Sequence, residues 1–120
     1  MKKLKFYIAG VQHRPGAAKA IKDLKPGDDL NLVPEPENKY DPNAVKIETL
    51  EGEFLGYVPK KFSSTVSAAL MVDPEGVACK VTNVQPDAKT WEMCEVEVGP
   101  EDDFYLDEEE EEEEESDFPY

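Results

Sequence analysis

Tyr40 and Asp41 stand side by side in a polar loop, Glu35 to Asn43. A ring presented by such a loop offers a face for a nucleobase, and stacking is worth about 1–3 kcal/mol per base whatever the base. The adjoining carboxylate is an acceptor for a hydroxyl group. Lys60 and Lys61 follow Pro59, which suits the first turn of a helix, so both lysines are expected where unpaired backbone N–H groups already favour an anion. Gln12, His13 and Arg14 follow the apolar run Phe6 to Val11; there His13 can stack and Arg14 can hold a phosphate. Ring, acceptor and cations together are what a socket for a strand end requires. Each residue also has a plainer use. Tyr40 can plug a core and Asp41 can cap its own turn, a role compatible with ligand binding. Lys60 and Lys61 can be a solvated pair, and a lone surface histidine usually does no chemistry.

Other chemistries find little to stand on. The chain has one histidine and no HxxxH, CxxC or P-loop pattern, so a metal or nucleotide enzyme is not expected and no cofactor is implied. Asp41, His13 and Glu35 can be drawn as acid and base groups, but no nucleophile, metal cage or phosphate loop accompanies them. No apolar run nears the roughly 18 residues that span a bilayer. Phe6 to Val11 is too short for the core of a secretory signal despite the basic start Met1-Lys2-Lys3-Leu4-Lys5. A cytoplasmic chain without membrane contact is expected, with Cys79 and Cys94 as buried thiols instead of a disulfide.

Charge divides the 120 residues in two. The formal net charge is −15, yet residues 101 to 120 hold 13 of the 28 acids and no base, leaving 15 acids against 13 bases in the first 100. Residues 1–100 can bury a modest core. Residues 101–120 have too few apolar groups to offset their ordering entropy, so a disordered acidic tail is expected. A sequence pI near 4.3 gives no long-range attraction for phosphate, so any nucleic-acid affinity must be local, modest and weakened by salt. The eight glutamates Glu108 to Glu115, on a flexible leash, can occupy the protein's own cationic site at high effective concentration. Removing residues 101–120 is then expected to tighten binding.

The elements that would position these groups are short. Leu4 to Val11 reads as a strand buried on both faces, and Ala17, Ala20, Ile21 and Leu24 recur at helical spacing. Asp29 to Val33 alternates polar and apolar until Pro34 and Pro36 stop it. Ala44 to Thr49 and Phe54 to Val58 form a hairpin around Gly52. Phe62, Val66, Ala69 and Leu70 mark a helix from Lys60 to about Val72. Val77, Cys79 and Val81 alternate, as do Cys94, Val96 and Val98, on either side of a loop at Gln85 to Lys89, which predicts a second hairpin with Glu95 and Glu97 outward. Strand parity puts Trp91 and Met93 on that outward face too; Trp91 is then a further stacking candidate or a cover for the barrel. Val45, Ile47, Phe54, Leu55, Phe62, Val66, Leu70, Val77, Cys79, Val81, Cys94 and Val96 are expected in the core. Six strands and two short helices make a mainly β, α+β body, a small barrel or sandwich.

The run Asn38-Lys39-Tyr40-Asp41-Pro42-Asn43-Ala44-Val45, then Gly52, then Gly56-Tyr57-Val58-Pro59, resembles the signature of the HIRAN domain family. Ile8-Ala9-Gly10-Val11 and Gly27-Asp28-Asp29-Leu30-Asn31-Leu32 agree in order and spacing, so the resemblance covers residues 4 to about 98. It implies an OB-like β-barrel and, from family members in DNA-remodelling helicases, binding of single-stranded DNA at a free 3′ end. It also implies that Tyr40 and Asp41 form the end pocket and that Lys60 contacts phosphate. Gln12, His13 and Arg14 depart from the family's basic residue followed by aromatics, and Lys39 replaces a usual Pro, adding charge beside the pocket. The tip Asp117-Phe118-Pro119-Tyr120 is similar to the C-terminal tip of bacterial single-stranded DNA-binding protein, which docks into basic-rimmed apolar pockets; Phe118, Pro119 and Tyr120 would then recruit a repair or replication protein.

The leading expectation is a non-enzymatic module for single-stranded DNA, preferably its 3′ end, in bacterial DNA repair or replication. The alternative is a protein-interaction adaptor whose barrel binds a peptide or nothing and whose tail does the recruiting.

Overall fold

The computed structural model describes residues 1–104. The expected disordered tail beyond Phe104, with the tip Phe118, Pro119 and Tyr120, lies outside the described residues. Within them the strands are β1 (Leu4–Tyr7), β2 (Asp29–Pro34), β3 (Val45–Glu48), β4 (Phe54–Tyr57), β5 (Val77–Val84) and β6 (Cys94–Pro100), and the α-helices are α1 (Ala17–Lys22) and α2 (Lys60–Val72). Single 3-10 turns occupy Val11–His13 and Thr90–Glu92. The six strands form one curled sheet in the order β1-β6-β5-β2-β3-β4, each neighbouring pair antiparallel.

The curl brings the two edges together. Just past β1, Ala9 forms a bridge with Tyr57 of β4, through Ala9 N–H to the Tyr57 carbonyl at 2.9 Å and Tyr57 N–H to the Ala9 carbonyl at 2.8 Å. One bridge thus turns an open six-stranded sheet into an OB-like half-barrel, where two bare edges would otherwise remain. Gly56 makes this approach possible. A Cβ there would run into the Ala9 carbonyl oxygen and the Ile8 side chain, so only glycine lets the backbones come so near.

Alternating residues of the strands fill the interior. Val45, Ile47, Leu55, Cys79, Val81, Cys94, Val96 and Val98 are buried, and α2 adds Ser63, Val66, Ser67 and Leu70 at helical spacing. Phe6 of β1 stacks on Phe62 of α2 with ring centroids 5.7 Å apart. Cys79 and Cys94 are free buried thiols. Burial pushes both up, Cys94 to about 12, so neither is a reactive thiolate at neutral pH.

Three expectations from pattern are corrected. The first strand ends at Tyr7, because Gly10 takes φ +76 and starts a 3-10 turn at Val11. Met93 is buried, only 3% exposed: it lies before β6 in helical backbone, φ −71 and ψ −38, at the end of the turn Thr90–Glu92, so the period-two count from β6 does not extend to it. Phe54 leaves the core list, being half-buried with its ring against charged groups. The first residues of the acidic segment, 101–104, form a helical turn, with the Glu101 N–H bonded to the Gly76 carbonyl at 2.8 Å.

Candidate nucleic-acid interface

The loop between β2 and β3 is built around Asn38. Its side-chain oxygen accepts the backbone N–H groups of Tyr40 (2.9 Å) and Asp41 (3.0 Å), and its amide donates to Glu35 (3.1 Å). Asp41 then accepts the Asn43 N–H at 2.8 Å, completing the second turn. The ends are joined by the Glu35 N–H to the Ala44 carbonyl at 2.8 Å. With its backbone held in this way, the loop presents the Tyr40 ring 91% exposed. Tyr40 does not plug the barrel.

Asp41 is tied to α2 as well. Ser63 donates its hydroxyl to Asp41 Oδ2 at 2.7 Å, and the Lys60 carbonyl lies 3.0 Å from the same hydroxyl. The Ser63 bond, the Asn43 N–H and the nearby Lys60 charge hold the Asp41 carboxyl below its ordinary range. It is an ionised acceptor at neutral pH, with lone pairs left for a further donor.

Arg14 comes to the same opening from a separate stretch of chain. Its guanidinium lies 4.7 Å from the Phe54 ring centroid and 5.9 Å from that of Tyr57, and the two rings meet edge to face at 5.3 Å. Tyr57 donates its hydroxyl to Glu35 at 2.7 Å, and Lys46 lies 3.8 Å from the same carboxylate. The Tyr57 bond leads the causes that lower Glu35, followed by burial acting the other way and by Asn38, Lys46 and Arg14. Burial and the Glu35 carboxylate raise Tyr57. Contact with both rings restricts the Arg14 guanidinium, so less freedom is lost when it meets an anion.

These groups meet at an open hollow of about 350 Å³, bordered by Arg14, Tyr40, Asp41, Tyr57 and Lys60 among others. It collects four of the residues expected at the site from three separated stretches of chain. Lys61 is exposed and leans on Phe62, 5.0 Å from the ring centroid. Lys39 borders a neighbouring hollow with Glu35 and Glu37. Gln12 and His13 are exposed on the 3-10 turn before Arg14, with the Gln12 side chain 3.5 Å from the Thr90 hydroxyl. That contact links them to the second 3-10 turn, where Trp91 is half-exposed and Lys89 sits 5.4 Å from its ring. Asn38, Ser63 and Phe54 were not singled out from sequence as site residues. Asn38 had a readable signal, an Asn two residues before the ring it positions, but Ser63 and Phe54 join only by folding.

Among the described residues no three His, Cys, Asp or Glu side chains gather as a metal site would require. No helix there is long and apolar enough to cross a membrane.

An antiparallel half-barrel closed by one bridge, with a loop of the Asn-x-Tyr-Asp type beside the closure, is an OB-like domain of a defined kind. The chain belongs to the HIRAN domain family, which it matches over residues 1–101. It is 31% identical over 91 residues to the Fanconi-associated nuclease 1 homolog of Arabidopsis thaliana, an alignment covering 63% of this chain and 10% of that protein. The chain therefore spans about a tenth of that relative's length. In fold it is similar to the HIRAN domain of human HLTF (TM-score 0.61, 16% identity, 80% of this chain and 72% of that one). It is also similar to a protein from Lactobacillus plantarum (TM-score 0.67, 19% identity, 81% and 95%).

Proposed function

We propose that the chain is a non-enzymatic module that binds single-stranded DNA, with the 3′ terminus seated in the hollow between Arg14 and Tyr40. The carrying observation is that folding brings a fully presented ring, an ionised carboxylate and two cations to one opening. Membership of the HIRAN family supports nucleic acid as the ligand, as does a relative whose name is that of a nuclease. In this reading a terminal base stacks on Tyr40, Arg14 and Lys60 hold the phosphate that precedes it, and Asp41 accepts the hydrogen bond of the 3′ hydroxyl. An internal nucleotide has no free hydroxyl and places a phosphate against Asp41, so like charges select for the end.

The test is fluorescence anisotropy with short single strands carrying a 3′ hydroxyl or a 3′ phosphate. The hydroxyl strand should bind at least about fivefold tighter, the range expected when one charged hydrogen bond is exchanged for repulsion. Because the Asp41 carboxyl is lowered, its ionised form persists below the ordinary carboxylate range. Affinity for the hydroxyl strand should therefore hold from pH 8 to 5 and fall only as acid protonates Asp41; the two strands are compared at about pH 8, where the terminal phosphate carries both charges. Equal binding of both strands would refute the assignment of Asp41.

Arg14→Ala should weaken binding roughly 5- to 10-fold and flatten the slope of log affinity against log salt by about 0.7, one phosphate contact on a single strand. Arg14→Lys should restore the slope without the full affinity, since lysine lacks the plane that rests on Phe54. An unchanged salt slope in Arg14→Ala would place phosphate elsewhere.

A further inference from the structure

One carboxylate oxygen joins the parts of the hollow. Glu35 Oε1 accepts the Tyr57 hydroxyl at 2.7 Å and the Asn38 amide at 3.1 Å. Asn38 is the residue whose side-chain oxygen holds the Tyr40 and Asp41 N–H groups. Tyr57 is one of the two rings against the Arg14 guanidinium, and Arg14 Nε is buried without a hydrogen-bond partner among the described residues. The placement of Arg14 thus depends on its ring contacts. The loop that carries Tyr40 and Asp41 and a ring that holds Arg14 therefore share a single acceptor.

Glu35 is itself fixed. Its N–H donates to the Ala44 carbonyl at 2.8 Å, its carbonyl accepts the Asn38 N–H at 3.0 Å, and Oε2 lies 3.8 Å from Lys46. An ionised carboxylate only accepts. It therefore takes the NH₂ end of the Asn38 amide, which leaves the Asn38 oxygen for the N–H groups of the loop. Asn38 and Tyr57 border both the site and the neighbouring hollow, whereas Glu35 borders the second and not the first. On charge alone a carboxylate so close should weaken the hold on phosphate. Its hydrogen bonds argue for the opposite effect.

We propose that Glu35 is a positioning residue of the DNA site, setting the Tyr40–Asp41 loop and the Arg14 guanidinium relative to one another through Asn38 and Tyr57. This rests on the DNA-binding reading above. The two roles differ in sign. Removing a carboxylate that only repels improves binding, and removing one that positions impairs it.

The experiment measures anisotropy with the 3′-hydroxyl and 3′-phosphate strands for Glu35→Gln, Glu35→Ala and Tyr57→Phe. Glu35→Gln loses the charge and keeps an acceptor for both donors, so it should bind as wild type or up to about threefold tighter. Glu35→Ala loses both and should bind roughly 5- to 10-fold weaker, with the preference for a 3′ hydroxyl reduced below about twofold. Tyr57→Phe keeps the ring and loses one bond, so it should bind about 2- to 4-fold weaker. Added to Glu35→Ala it should cost less than about twofold more, because the bond it deletes is already gone. Binding by Glu35→Ala as tight as wild type or tighter, equal binding by the Gln and Ala variants, or Tyr57→Phe binding as wild type overturns the proposal. If Tyr40→Ala still weakens binding, the DNA-binding reading survives that result. Should wild type bind no strand, that reading fails and hydrogen exchange decides the positioning alone. The Tyr40 and Asp41 N–H groups should then exchange at least about fivefold faster in Glu35→Ala, and near the wild-type rate in Glu35→Gln; unchanged exchange in Glu35→Ala overturns it.

Discussion

Tyr40→Ala should lower the affinity for a single-stranded oligonucleotide by about 5- to 150-fold, the 1–3 kcal/mol of one stacked base, without moving the thermal midpoint. Both halves of that result follow from the placement of the ring. At 91% exposure it makes no contribution to the core, and the loop that carries it is held by Asn38 through backbone N–H groups that alanine retains. Tyr40→Phe should bind nearly as wild type, since the face and not the hydroxyl stacks. Anisotropy titrations and a melting curve on the three proteins are sufficient. Binding within twofold of wild type in Tyr40→Ala would remove the ring from the site, and a lowered midpoint would make its role structural.

Gly56→Ala should cost about 3 kcal/mol of stability, the sum of overpacking strain and weakened closure hydrogen bonds. The added methyl meets the Ala9 carbonyl oxygen, which is backbone and cannot rotate aside, and the Ile8 side chain. Relief requires the two edges to part, and the paired Ala9 and Tyr57 hydrogen bonds go with them. For a body of about 100 residues this corresponds to a fall of roughly 12–24 °C in the midpoint. Because Tyr57 carries the plane under Arg14 and borders the hollow, DNA affinity should fall together with stability even at temperatures where the variant is folded. A variant with wild-type midpoint would mean that the bridge does not hold the barrel closed.

Local patterns carried much of this fold. Period-two alternation located β2, β3, β5 and β6 because a sheet with one buried face repeats every second residue, and the helical spacing of Val66 and Leu70 placed α2. The loop Asn38 to Asn43 was readable for a different reason: its hydrogen bonds are between residues two or three apart, so the chemistry that shapes it lies within the segment. The same locality explains the errors. Parity carried Met93 outward from β6 because nothing in a two-residue count announces a 3-10 turn. Phe54 alternates like a core residue, but its ring ends against Arg14 and Lys46, cations that arrive from other strands and turns.

What the sequence determined by itself was the β-rich body, the acidic segment set apart from it, and a loop shaped to hold out a ring and a carboxylate. Each depends on residues near one another along the chain. Only the tertiary structure decided that the sheet closes through Ala9 and Tyr57, that Ser63 ties Asp41 to α2, and that Arg14 and Tyr40 border one hollow. Those contacts join residues 22 to 48 positions apart, and the closure that makes them depends on how near two backbones can come.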